Sequence, residues 1–125
     1  SKPREFRSSA GLPIFVGRSN RQNDRLTAKD ADRRDIWLHT QKIHGSHVIL
    51  STGGEQPDAQ SIAEAASLAA YFSQAQSSTK VPVDFTQVKF VKKPAAAKPG
   101  MVVYTNYQTV LADPNEELVK HLLVK

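Results

Sequence analysis

The stretch Asp35-Ile36-Trp37-Leu38-His39-Thr40-Gln41-Lys42-Ile43-His44-Gly45-Ser46-His47-Val48-Ile49-Leu50 limits what this chain can fold into more than any other. Its side chains alternate with a period of two, which sorts them onto the two faces of a strand. Ile36 and Leu38 share one face, and Trp37 and His39 share the other. Val48 and Leu50 repeat the pattern beyond a glycine-bearing turn. Two short strands around a turn predict a hairpin within a sheet. The hairpin holds the only Trp and three of the four His of the chain. Either its imidazoles and hydroxyls form a working surface, or they are the wet face of an ordinary sheet.

The flanking segments predict the rest. Residues 1–10 are polar and read as a linker or edge segment. Leu12–Val16 is a short apolar run with Pro13 at its start, which suits an edge strand. Ser19 or Asn20 can cap a polar helix over 21–31, expected on the surface. Asp58 caps the strongest helix signal, 59–76, where Ile62, Ala66, Ala69 and Phe72 recur at helical spacing beside Leu68. Its alanines favour helix and permit close approach to a sheet. Val81–Phe85 is extended, 87–93 alternates like a strand, and 94–100 is a proline-bounded loop. Residues 101–112 read as a hairpin turning near Asn106. Asp113, Pro114 and Glu116 form a capping-box start for a last helix docked by Leu118 and Leu122. The expectation is an α+β fold: a mainly antiparallel sheet, one long Ala-rich helix packed on it, and short flanking helices. It divides into an N-terminal segment (1–10), a domain (11–113) and a C-terminal helix (114–125).

Several function classes find no support. No apolar run approaches the ~20 residues that span a bilayer, and the N-terminus lacks the apolar region of a signal peptide. With no cysteine, a reducing, cytoplasmic setting is expected, and an isolated domain of this length is expected to be a monomer. His39, His44 and His47 match no zinc-ligand spacing. Ser46 stands in no nucleophile elbow, and there is no glycine-rich nucleotide loop. The expectation is therefore no catalytic residue, no metal and no cofactor.

Charge is more informative. Net charge is +5, and residues 1–50 carry ten Lys/Arg against five Asp/Glu. Residues 51–75 carry only acids (Glu55, Asp58, Glu64), and 76–112 are basic again. Two basic segments folded onto one side make a polyanion-facing surface. Arg18, Asn20, Arg21 and Asn23 cluster at one helix start, and Lys89, Lys92, Lys93 and Lys98 bracket the Pro/Ala loop. Arginine forks and lysines suit phosphate. Trp37, Tyr104 and Tyr107 are the rings available to stack on bases, with Trp37 equally suited to a core.

Ile14-Phe15-Val16-Gly17-Arg18-Ser19-Asn20-Arg21-Gln22-Asn23-Asp24, then Asp35–His39 with Gly45–Ile49, then Val88–Pro94 and Lys98–Tyr104 run in an order that resembles the NFACT-R domain. This is the C-terminal RNA-binding domain of bacterial RqcH proteins, also called FbpA-like fibronectin-binding proteins, whose eukaryotic relative is NEMF. The resemblance covers about residues 6–113. It implies a non-enzymatic module of ribosome-associated quality control. Its partners would be tRNA, alanyl-tRNA in particular, and through the whole protein an obstructed large ribosomal subunit whose nascent chain receives a C-terminal alanine tail. It puts Arg18, Asn20, Asn23, Trp37, His39, Ser46, His47, Lys92 and Lys93 at the RNA face, beside the Arg21, Lys89 and Lys98 suggested by charge. The alternative is a protein-interaction module, either a fibronectin-binding adhesin or an intramolecular docking domain.

Overall fold

A computed structural model describes residues 1–125. Strands β1 (Arg4–Arg7), β2 (Pro13–Val16), β3 (Ile36–Thr40), β4 (Val48–Leu50), β5 (Val81–Gln87) and β8 (Gln108–Ala112) form one sheet in the order β1-β2-β4-β3-β5-β8. A ribbon of β6 (Val91–Lys92) and β7 (Val103–Tyr104) stands apart. Every pairing is antiparallel. Helices α1 (Asn20–Arg25), α2 (Ala59–Tyr71) and α3 (Glu116–Leu122) complete the α+β architecture. No helix is long and apolar enough to cross a membrane.

Strand alternation gives the sheet two apolar faces. On one, Ile14, Val16, Ile36, Leu38, Val48, Leu50 and Val83 pack against Ala65, Ala66, Leu68, Ala69 and Ala70 of α2. Those alanines keep the helix close to the strands, as their spacing predicts. On the other face, cross-strand neighbours Phe15, Ile49 and Trp37 form a row. Leu26, Val88, Val91, Val102 and Tyr104 cover it. Burying such side chains contributes about 1.5–3 kcal/mol each, so a second, smaller core rests on Trp37. Strand β2 is not the edge strand that Pro13 suggested: it lies between β1 and β4, and Pro13 fits as the strand's first residue. The outermost strand on this side is β1, where Phe6 is fully buried and bridges Leu123. There Val124 N–H donates to Glu5 O at 3.1 Å.

Five further expectations change. The helix after Ser19 is α-helical only to Arg25 and continues as a π-helical turn, Leu26–Asp30. It is not wholly superficial: Asn23, Leu26 and Thr27 are buried because it covers the Trp37 face. Helix α2 stops at Tyr71, where Phe72 leaves helical geometry and Gly45 bridges Ser73. Gly45 lets these segments meet, since a Cβ there would lie 2.8 Å from Ser73 Cβ. Residues 87–93 are not one strand. Val88 N–H donates to Asp35 O and Lys89 N–H to Arg33 O, so Val88–Phe90 forms a 3₁₀ turn that leaves the sheet. Residues 101–112 turn at Asn106 (φ 55°) but do not pair with themselves, because β7 pairs with β6 and β8 with β5. Asn115, not Asp113, caps α3, its side chain accepting from Leu118 N–H. Asp113 accepts from Lys80 N–H instead.

Candidate nucleic-acid interface

On the Trp37 face, the β3–β4 connection, the start of α1 and the Lys98–Tyr104 segment enclose a groove of about 970 Å³. Arg21, Lys42 and Lys98 line it, and no Asp or Glu does. Its apolar wall includes Ile43, Met101, Val102 and Tyr104. A shallower hollow of about 460 Å³ shares Ser19, Asn20, His44 and Gly45 with it and adds Arg18 and Ser46. A third, of about 210 Å³, carries Lys92 and Lys93.

Local chemistry holds the walls. Ser19 caps α1 by accepting from Gln22 N–H at 3.1 Å. The left-handed Gly100 (φ 85°) is clamped from two sides. Its N–H donates to Asp24 Oδ1 at 2.9 Å, and its carbonyl accepts from His47 Nε2–H at 3.0 Å. A carbonyl only accepts, so the proton sits on Nε2 and Nδ1 accepts from the Thr27 hydroxyl at 2.8 Å. Burial, then the neighbouring His39, lowers the His47 pKa to about 4. His39 has both ring nitrogens against carbonyls, Thr40 O at 2.7 Å and Gly45 O at 3.2 Å. Its pKa is lowered by burial, partly opposed by those carbonyls. Beneath them, buried Asp84 accepts from Tyr104 Oη–H at 2.5 Å, Thr109 Oγ1–H at 2.7 Å and Gln41 Nε2–H at 3.0 Å.

The structure separates the sequence candidates. Asn20, Arg21, His39 and Lys98 meet at the main groove, and Arg18 and Ser46 at its extension. Arg18 and Arg21 are exposed, although Arg18 Nε–H also donates to Lys2 O. Lys92 is exposed in the third hollow. Lys93 Nζ is committed to Lys98 O, Met101 O and Asp24, which makes it a brace for the loop. Lys89 lies over the Phe90 ring and lines none of the three. Three candidates are corrected. Asn23 is 3% exposed, and its Oδ1 accepts from His47 N–H, so it joins α1 to β4. His47 is 1% exposed with both ring nitrogens bonded. Trp37 has no exposed surface, being packed at 4.6 Å from Tyr104 and stacked on His39 at 5.7 Å, with Nε1 unbonded. These three build the groove from behind. Sequence reasoning missed Lys42 and Met101. Lys42 takes an uncommon left-handed conformation (φ 57°) in the turn, and Met101 arrives only through the fold-back at Gly100.

A cation-rimmed groove with an apolar and aromatic wall, carried on a rigid sheet, defines a module of the polyanion-binding class. The chain belongs to the family described as NFACT protein RNA binding domain, whose family model matches residues 2–106. It is 51% identical over 114 residues to "Rqc2 homolog RqcH" of Bacillus subtilis (strain 168), covering 91% of this chain and 20% of that protein. The protein of the same name from Streptococcus suis (strain 05ZYH33) is 39% identical over 124 residues, covering 98% of this chain and 22% of that one. A solved structure, the C-terminal part of the fibronectin/fibrinogen-binding protein from Streptococcus suis, superposes with a TM-score of 0.95 at 38% identity. The match covers 99% of this chain and 50% of that one. The chain thus spans about a fifth of the length of the curated relatives it matches.

Proposed function

We propose that this domain binds RNA at the groove between α1 and the Lys98–Tyr104 segment. The observation that carries the reading is three cations, Arg21, Lys42 and Lys98, around an apolar wall with no lining carboxylate. Phosphates pair with the cations, and the wall receives bases or sugars. In the same reading the domain belongs to a cytoplasmic ribosome-associated quality control factor. There it helps bring alanyl-tRNA to obstructed large ribosomal subunits for C-terminal alanine tailing. The domain contributes binding, without turnover of its own. The family membership and the RqcH relatives support this.

Amide NMR titration with charged and uncharged tRNA tests it. Signals of residues 18–21, 42–45 and 98–104 are expected to move, and the effect to fade with salt. Shifts confined to the chain termini would sink the reading. A protein-docking role has one specific support, the exposure of Val103, Tyr107 and Leu111. It predicts partner capture that survives high salt, with no affinity for RNA.

A further inference from the structure

A strand that ends a sheet leaves every second backbone N–H and C=O directed outward without a partner. Proteins guard such edges with charge, proline, a bulge or a covering segment. The six-stranded sheet ends in β1 and β8, and only one of them is guarded. Strand β1 carries Arg4, Glu5 and Arg7. The C-terminal segment also runs beside it, where Leu123 bridges Phe6 and Val124 N–H donates to Glu5 O. Strand β8, Gln108-Thr109-Val110-Leu111-Ala112, has neither charge nor proline. No charged residue occurs anywhere between Lys98 and Asp113. On one side β8 pairs with β5, and on the other no loop backbone bonds to it.

The side chains show what such an edge fits. Val110 packs toward the α2 core, and Thr109, on the opposite face, is held by Asp84. Leu111 shares the Thr109 face and is 60% exposed. An antiparallel pair of two β8 strands centred on Val110 would set Val110 against its own copy, Thr109 against Leu111 and Gln108 against Ala112. No like charges meet, and the exposed Leu111 of each chain covers the Thr109 of the other. One register serves both chains, as a two-fold interface requires. A foreign strand would need its own match to this edge; a second copy already carries one.

We propose that β8 pairs antiparallel with the β8 of a second copy of this chain, joining the two sheets edge to edge. The two-fold axis then stands perpendicular to the sheet, so both Trp37 faces point the same way. Five residues make a small interface, below the ~1,200 Å² at the low end of stable complexes. Two domains of net charge +5 also repel each other. The association is therefore weak, with a dissociation constant on the order of 100 μM, and the chain is a monomer at the dilution of a binding assay. Salt screens the repulsion and strengthens the pairing, the opposite of its effect on a polyanion contact. The pairing stands or falls independently of the RNA-binding reading.

The test records amide NMR spectra and rotational correlation times of the 125-residue chain from roughly tens of micromolar to about 1 mM, at low and high salt. Amides of residues 107–112 are expected to shift with concentration, the correlation time to rise toward that of a dimer, and both effects to grow with salt. Gln108→Lys and Leu111→Lys place charge on the edge at exposed positions. Each should abolish the concentration dependence while the spectrum keeps the dispersion of the folded chain. Spectra that do not change with concentration would overturn the proposal. So would concentration-dependent shifts that map to another surface, or that survive both charged variants. Shifts at residues 107–112 that appear only on adding an unrelated extended peptide would overturn it in favour of a foreign strand.

Discussion

At the scale of single residues, His47 shows how a polar side chain is absorbed by the fold. Its ring lies between Thr27 and Gly100, and its backbone N–H is held by Asn23. Charging the ring would strip the acceptor role from Nδ1 and bury an ion, which keeps the folded pKa near 4 against an ordinary 6.5. Between those values the unfolded chain binds a proton that the folded chain refuses. His47 therefore contributes stability that is complete above about pH 6.5 and is lost as pH falls toward about 4. The full loss is on the order of 3 kcal/mol. NMR titration should give a His47 midpoint near the lower value, and urea unfolding across this window should be flatter for His47→Gln than for the parent. An ordinary midpoint for His47 would contradict the buried geometry. Tyr104 makes a second residue-scale case. Burial, then its bond to Asp84, raises its pKa. Tyr104→Phe removes the donor to a buried carboxylate and is expected to cost about 1.5–3 kcal/mol. The check is a lower urea midpoint at unchanged m-value.

At the scale of elements, α1 matters because it fixes the groove wall. Two changes at its start separate capping from packing. Ser19→Ala removes one cap bond and should cost about 1 kcal/mol. A Cβ at Gly17 would overlap Asn23 Oδ1, the acceptor of His47 N–H. Gly17→Ala would leave that buried N–H unpaired, at about 1–3 kcal/mol, plus the strain of displacing Asn23. Gly17→Ala should therefore lower the thermal midpoint more than Ser19→Ala does; the reverse order would mean that α1 docks without the Asn23 link. What the sequence reveals of these elements follows from the range of their signals. The β3–β4 hairpin and α2 carry local periodicity, and the Ser19 and Asp58 caps carry local chemistry, so all four are legible. The two-residue strands β6 and β7 hold no period, and each finds its partner across the Pro/Ala loop. The site divides in the same way. The charges of Arg21 and Lys98 mark them as candidates wherever they fold. Asn23, Trp37 and His47 look like surface groups until partners far along the chain bury them. Lys42 and Met101 look unremarkable until the fold sets them across one groove.

At the scale of the whole molecule, the sheet sets a groove lined by cations and by no acid on one of its faces. Glu64, Glu116 and Glu117 belong to α2 and α3, and Asp58 caps α2; both helices pack with the α2-bearing core. Arg21, Lys42 and Lys98 border the groove on the opposite, Trp37-bearing face. A polyanion is thus drawn to one side, and the attraction should be paid back in counterions released from the nucleic acid. For a single-stranded ligand each phosphate contact contributes about 0.7 to the slope of log K against log salt. Arg21→Gln, Lys42→Asn and Lys98→Gln should each lower that slope by about this amount, and the triple variant by about 2. Asn tolerates the left-handed backbone that Lys42 occupies, so that change isolates charge from strain. Lys120→Gln on α3, where the ammonium faces Glu116 at 3.4 Å, should leave the slope unchanged. Anisotropy titrations with loop RNA over a range of salt concentrations measure all five variants. An equal fall in slope for Lys120→Gln would mean that RNA senses only the net charge of the domain. A fall confined to the groove variants would mean that the sheet presents RNA with a single face.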